Sequence, residues 1–190
     1  MAEVLPINFP LPTENLFASY DWFDTNTGTG IQTFYGKRIY NGTAYKYLLS
    51  KSDALISYES EGAGASFDLD FDISFVNTVY IDGFAYITGS FYIQTAGAVY
   101  KVSGQLFHYD GSTETAASAE ISGPNETAGG GNERKYFCVK IPITTKTKIT
   151  GGDTLRLTIK LTKVGGTDGV HLEHSATSPF IAAIPFKIIT

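Results

Sequence analysis

Large apolar side chains fall on every second residue through Phe67, Leu69, Phe71, Ile73 and Phe75, with Asp68, Asp70, Asp72 and Ser74 between them. Successive side chains of an extended chain point to opposite faces, so this period predicts a strand with one side on a core and a carboxylate side in water. Leu155, Leu157, Ile159 and Leu161 repeat the pattern against Thr154, Arg156, Thr158, Lys160 and Thr162. One-sided strands of this kind build antiparallel sheets. Further strand-like runs cover 31–35, 43–49, 79–88, 90–95, 98–109, 134–143, 170–174 and 180–189, with a short one at 115–121. Asn41-Gly42 predicts a hairpin between two of them. The small residues at 61–66 and the Gly-Pro and Gly-Gly-Gly of 122–133 predict loops. No stretch carries a helical period. The spacing predicts an all-β chain of about eight to ten strands, an antiparallel β-sandwich with jelly-roll character.

Residues 1–16 read differently. Pro6, Pro10 and Pro12 favour extended backbone, and Val4, Leu5, Ile7, Phe9, Leu11 and Leu16 alternate with them. We read 1–16 as an extended Pro-rich N-terminal arm and 17–190 as a single β-sandwich domain. An apolar arm needs cover, from its own domain or from a neighbour. Leu5, Ile7, Phe9 and Leu11 are the residues expected to bind a partner.

Composition narrows the function. Charged residues make up 17% of the chain, aromatics 14%, and the net charge is -5. With no basic cluster to neutralise phosphates, binding to nucleic acid or to an anionic membrane surface is not expected. No apolar run approaches the roughly 20 residues a spanning helix needs. The N-terminal residues lack the basic and apolar regions of a secretory signal, so the chain is expected to be made in a cytoplasm and to remain there or leave within an assembly. The single cysteine, Cys138, lies in the apolar run Tyr136–Val139 and reads as a small buried hydrophobe.

Candidate chemistry is thin. Asp68-x-Asp70-x-Asp72 lacks the glycine and glutamate of a calcium loop, and on a strand the carboxylates stand about 6.6–7 Å apart. His171 and His174 face opposite ways on a strand, and His108 is the only other histidine. No Gly-x-Ser-x-Gly elbow or dinucleotide fingerprint is present. We therefore expect no catalytic residues, no metal site and no cofactor, and a chain that is not an enzyme. Tyr20, Trp22, Tyr35, Tyr40, Tyr45 and Tyr47 crowd the first quarter, and Tyr is enriched both in protein interfaces and in sugar platforms.

The order of signatures is also familiar. Tyr45-Lys46-Tyr47-Leu48-Leu49-Ser50 precedes the Asp-Leu-Asp-Phe-Asp strand; His108-Tyr109-Asp110-Gly111, Ile141-Pro142-Ile143, Gly152-Asp153-Thr154-Leu155 and Ile184-Pro185-Phe186-Lys187-Ile188 follow. Over residues 20–190 this resembles small jelly-roll virion proteins of tailed phages, of the capsid decoration or cement type. The resemblance carries over no functional residue. It implies a viral structural protein in the virion of a bacteriophage, binding the major capsid protein or other virion proteins. It also implies a homo-oligomer, a homotrimer first, that stabilises the assembled shell by mass action. The alternative is a receptor- or carbohydrate-binding module of a phage tail or fibre.

Overall fold

A computed structural model describes residues 29–40, 43, 45–51, 60–63, 66–167, 169–175 and 177–187. They form strands β1 (Thr29–Tyr40), β2 (Tyr45–Ser50), β3 (Ser60–Ala63), β4 (Phe67–Ser74), β5 (Val79–Ile93) and β6 (Val99–Tyr109). The others are β7 (Glu114–Ala116), β8 (Ile121–Thr127), β9 (Glu133–Ile149), β10 (Thr154–Gly165), β11 (Val170–Glu173) and β12 (Ile181–Lys187). No helix occurs among the described residues.

The strands divide into two layers. In the larger one β5 is the hub. β9 runs along one of its edges, while β11 and β12 share the other. β1 pairs with β12 and then with β2, and β3 extends β11. In the smaller layer β10 lies between β4 and β6, and β7 and β8 pair with β6. All these ladders are antiparallel. A two-residue parallel contact, Tyr47↔Phe71 and Leu48↔Asp72, joins β2 to β4 and makes the layers one continuous sheet.

The alternating apolar residues face one another across the gap. Phe71 of the small layer stacks on Phe180, which leads into β12, with ring centroids 4.6 Å apart. Phe75 meets Phe186 at 5.4 Å, and Phe186 meets Phe34 at 6.0 Å. Close approach demands small residues at set points. A methyl group on Gly36 would lie 2.3 Å from the Phe180 ring and 2.8 Å from Phe71, and one on Gly104 would lie 3.0 Å from Ile141.

The antiparallel sandwich agrees with the hydrophobic period, but the twelve strands exceed the eight to ten expected. Residues 122–133 are not all loop: β8 pairs along β6 and tolerates Gly123-Pro124 because the register slips there. β3 overlaps the stretch 61–66 read as loop, and backbone pairing to β11 holds it. β9 continues through Pro142 to Ile149, since it is bonded to β5 alone and a proline on the unpaired side costs no ladder bond. Gly89 does not interrupt β5; a side chain there would strike Phe137 at 2.9 Å.

Gly36→Ala tests this packing. It should lower unfolding free energy by about 1–3 kcal/mol, the usual cost of overfilling a dense core. Denaturant melts that leave the midpoint unchanged would show that the Phe71 and Phe180 rings yield freely.

Candidate docking face

β5 is apolar on both sides. Val79, Ile81, Ala85 and Ile87 enter the core, whereas Tyr80, Phe84 and Tyr86 alternate with them toward the outside. β12 does the same, with Ala182, Ile184 and Phe186 inward and Ile181, Ala183 and Pro185 outward. The registers bring these outer residues into one field. Ile31, Thr33 and Tyr35 of β1 lie opposite Pro185, Ala183 and Ile181. On the far side of β5, Cys138, Lys140 and Pro142 of β9 lie opposite Thr88, Tyr86 and Phe84. Ile31 is 58% exposed, Phe84 48% and Tyr86 36%. Strands apolar on both faces belong to sheets covered on both sides. A contiguous apolar patch at a surface marks a place of contact.

The charges on this face are mostly positive. The Lys140 ammonium sits 3.9 Å from the Phe84 ring centroid and 5.8 Å from that of Tyr86, and Lys146 lies 4.4 Å from the Tyr80 ring. Such contacts contribute about 0.5–1 kcal/mol at exposed sites. Among the described residues Lys140 is in no ion pair. Lys187 is paired with Asp82 at the margin. The face thus offers apolar area, aromatic rings and an ammonium held among them. That chemistry suits a partner surface that is itself apolar and acidic.

At one end of the layer, a polar clamp ties three strands together. The buried Glu173 carboxylate accepts from Arg134 Nε at 2.7 Å, Arg134 Nη2 at 3.0 Å and Ser90 Oγ at 2.6 Å. Arg134 also donates to the Tyr92 hydroxyl and lies 4.8 Å over the Tyr92 ring. The Glu173 hydrogen bonds hold the guanidinium well above its ordinary pKa. Every strong group here has a partner, so the clamp explains the joint of β5, β9 and β11 rather than a reaction.

The outer face of the small layer is the opposite case. Asp72 takes two hydrogen bonds from Arg156, at 2.8 and 2.9 Å, and Glu114 takes a third at 2.8 Å. The Asp72 hydrogen bonds, with Asp70 and Glu114 nearby, hold Arg156 above its ordinary pKa. Thr158 donates to Asp70 at 2.6 Å, and Lys160 stands opposite Asp68. The acidic row is therefore matched by β10. Among the described residues no group of three or more His, Cys, Asp and Glu side chains is placed to hold a metal ion.

Several expected positions move. Cys138 is exposed, because even-numbered residues of β9 point out while Phe137 and Val139 turn inward. Tyr47 packs on Phe71 at 5.5 Å instead of joining a surface platform. His171 lies half-buried opposite Tyr92, whereas His174 is buried against the Tyr47 and Phe71 rings, 6.0 and 6.3 Å away. His108 pairs with Asp153 at 2.7 Å. Leu5, Ile7, Phe9 and Leu11, with Tyr20 and Trp22, lie outside the described residues. The Phe84–Tyr86–Lys140 field was missed in the sequence. Its signal was present, since Tyr80, Phe84 and Tyr86 stand at the even positions between Val79, Ile81, Ala85 and Ile87, with Asp82 the one charge among them.

No family model matches the chain, and neither does any curated protein. Among solved structures, a CocE/NonD family hydrolase from Staphylococcus aureus superposes at a TM-score of 0.59 with 10% identity, over 83% of this chain and 37% of that one. An aminopeptidase from a marine sediment Thaumarchaeota archaeon gives 0.54 with 6% identity, over 82% and 37%. A VP2 subviral particle of infectious bursal disease virus gives 0.24 with 15% identity, over 78% and 44%, too distant to carry weight. The chain spans little more than a third of the two enzyme chains, and the likeness is one of fold. It still corrects the expectation that this chain stands apart from enzymes. The fold recurs inside a hydrolase and an aminopeptidase, and a strand pattern without a catalytic motif gives no ground for excluding an enzymatic setting.

A turn next to the polar face supplies a pH test. Asp110 Oδ1 accepts from the Thr113 amide at 2.7 Å and from the Ser112 amide and hydroxyl at 2.9 Å, which lowers its pKa. A lowered carboxyl pKa stabilises the fold above the ordinary aspartate value, and that stability is lost as pH falls through the lowered value. NMR titration should place Asp110 below a reference aspartate, with the Ser112 and Thr113 amide shifts following the same curve. A reference-like titration would show that Ser112 and Thr113 do not hold the Asp110 carboxylate.

Proposed function

We propose that this chain is a docking β-sandwich that attaches to a larger protein body through the outer face of β9, β5, β12 and β1. The observation that carries this reading is the exposure of Ile31, Phe84 and Tyr86 on strands apolar on both sides. Each of these side chains is already about half-buried, so covering the rest contributes on the order of 1 kcal/mol apiece, about half of the full transfer value.

In its finer form the partner is an assembled viral shell. The chain would then be a capsid decoration protein, bound in the virion to the major capsid protein and to neighbouring copies, a trimer among them. The strand and turn signatures quoted above support that form, and so does the low share of charged residues in the chain, 17%. The carbohydrate-binding alternative is less favoured, because Lys140 lies over the Phe84 ring face where a sugar would stack.

A second reading draws on the fold matches. The sandwich fills about a third of a hydrolase chain and of an aminopeptidase chain, which supports a module seated beside a catalytic body. The same face would serve, with a different partner.

Replacing Phe84 and Tyr86 together by serine tests the face. Both point outward, so thermal melting should stay within a few degrees. Co-sedimentation with particles purified from the native source should weaken at least tenfold. Undiminished co-sedimentation of the double variant would end the docking role of this face.

A further inference from the structure

Residues 1–28 carry Val4, Leu5, Ile7, Phe9, Leu11, Leu16, Phe17, Trp22 and Phe23. They also hold four carboxylates, Glu3, Glu14, Asp21 and Asp24, and not one of the chain's 14 Lys and Arg. The docking face has the complementary character. It is apolar, and its exposed charges are Lys140, Lys146 and Lys148. Position agrees with chemistry. Residue 28 joins β1 at Thr29, which pairs with Lys187, and two residues later Ile31 lies opposite Pro185 inside the face. Four adjacent strands measure about 15 Å across, and 28 residues reach about 90–100 Å when extended. Asp24-Thr25-Asn26-Thr27-Gly28 has the composition of a reversing turn.

We propose that residues 1–24 of the same chain lie on this outer face in the free protein, with Leu5, Ile7, Phe9 and Leu11 on the Phe84–Tyr86–Ile31 field and a carboxylate near Lys140. This rests on reading the face as a docking surface and names its resident ligand. Tethering favours the chain's own segment over that of another copy, since a short link holds it at millimolar effective concentration. Held there, the segment keeps the apolar face out of water.

Trp22 is the only tryptophan, so intrinsic fluorescence reports this segment directly. In the full chain, Trp22 emission should be blue-shifted, and acrylamide quenching at least threefold weaker, compared with a synthetic peptide of residues 1–28. Both should be independent of protein concentration. The Phe84→Ser/Tyr86→Ser variant should move both values toward the peptide's, and Lys140→Glu should do so in a salt-dependent way. Peptide-like quenching in the unmodified chain would overturn the proposal, as would protection that persists in both variants. Protection that grows with concentration would assign the segment to a second copy and overturn the intramolecular form. Failure here with particle binding still lost on Phe84 and Tyr86 substitution leaves the docking face standing. Particle binding retained by that variant removes the docking face whatever Trp22 reports.

Discussion

The pleat of β5 is the constraint on which the rest of the molecule turns. A strand with apolar side chains at odd and even positions has no face suited to water, so both of its sides demand cover. The inner demand is met by the small layer, where Phe71, Phe75 and their partners press against Phe180 and Phe186. Gly36 is part of the same solution, because any side chain there would hold the rings apart. The outer demand is not met among the described residues, and that imbalance leaves the outside of the sheet open to a partner.

The two layers show how one chain handles a sheet's far side in two ways. β4 and β10 alternate oil with charge, and the charges find each other across the ladder: Asp72 with Arg156, Asp70 with Thr158, Asp68 opposite Lys160. That surface is complete in water. β5 and β12 place Phe84, Tyr86, Ile181 and Pro185 where the other layer has carboxylates. The buried polar clamp of the larger layer lies at its end, where Arg134 and Glu173 fasten β9, β5 and β11.

Much of the architecture was legible in the pattern. The one-sided strands at Phe67–Phe75 and Leu155–Leu161 stand where period two put them. Strands whose formation depends on a neighbour's backbone were harder to see: β3 carries a glycine, and β8 a glycine and a proline, in place of a hydrophobic stripe, and pairing with β11 and β6 forms them. The site was legible only in part. The arm residues Leu5, Ile7, Phe9 and Leu11 were singled out for their oil and lie outside the described residues, while the outer face of β5 was hidden, because a doubly apolar run looks like any buried strand. Cys138 was misplaced for the same reason, since an apolar run does not say which parity faces out.

The bend in β5 bears on which partners can fit. At Gly83, with φ near +110°, the register with β9 slips between Ile81 and Gly83, and the register with β12 slips between Ala183 and Phe186. Two irregularities at one level crease the sheet across its strands, so its outside is not a plane. A rigid flat surface would touch only on one side of the crease, and a contoured body or a pliant peptide can follow both. Shape, as well as greasiness and charge, therefore selects what settles there.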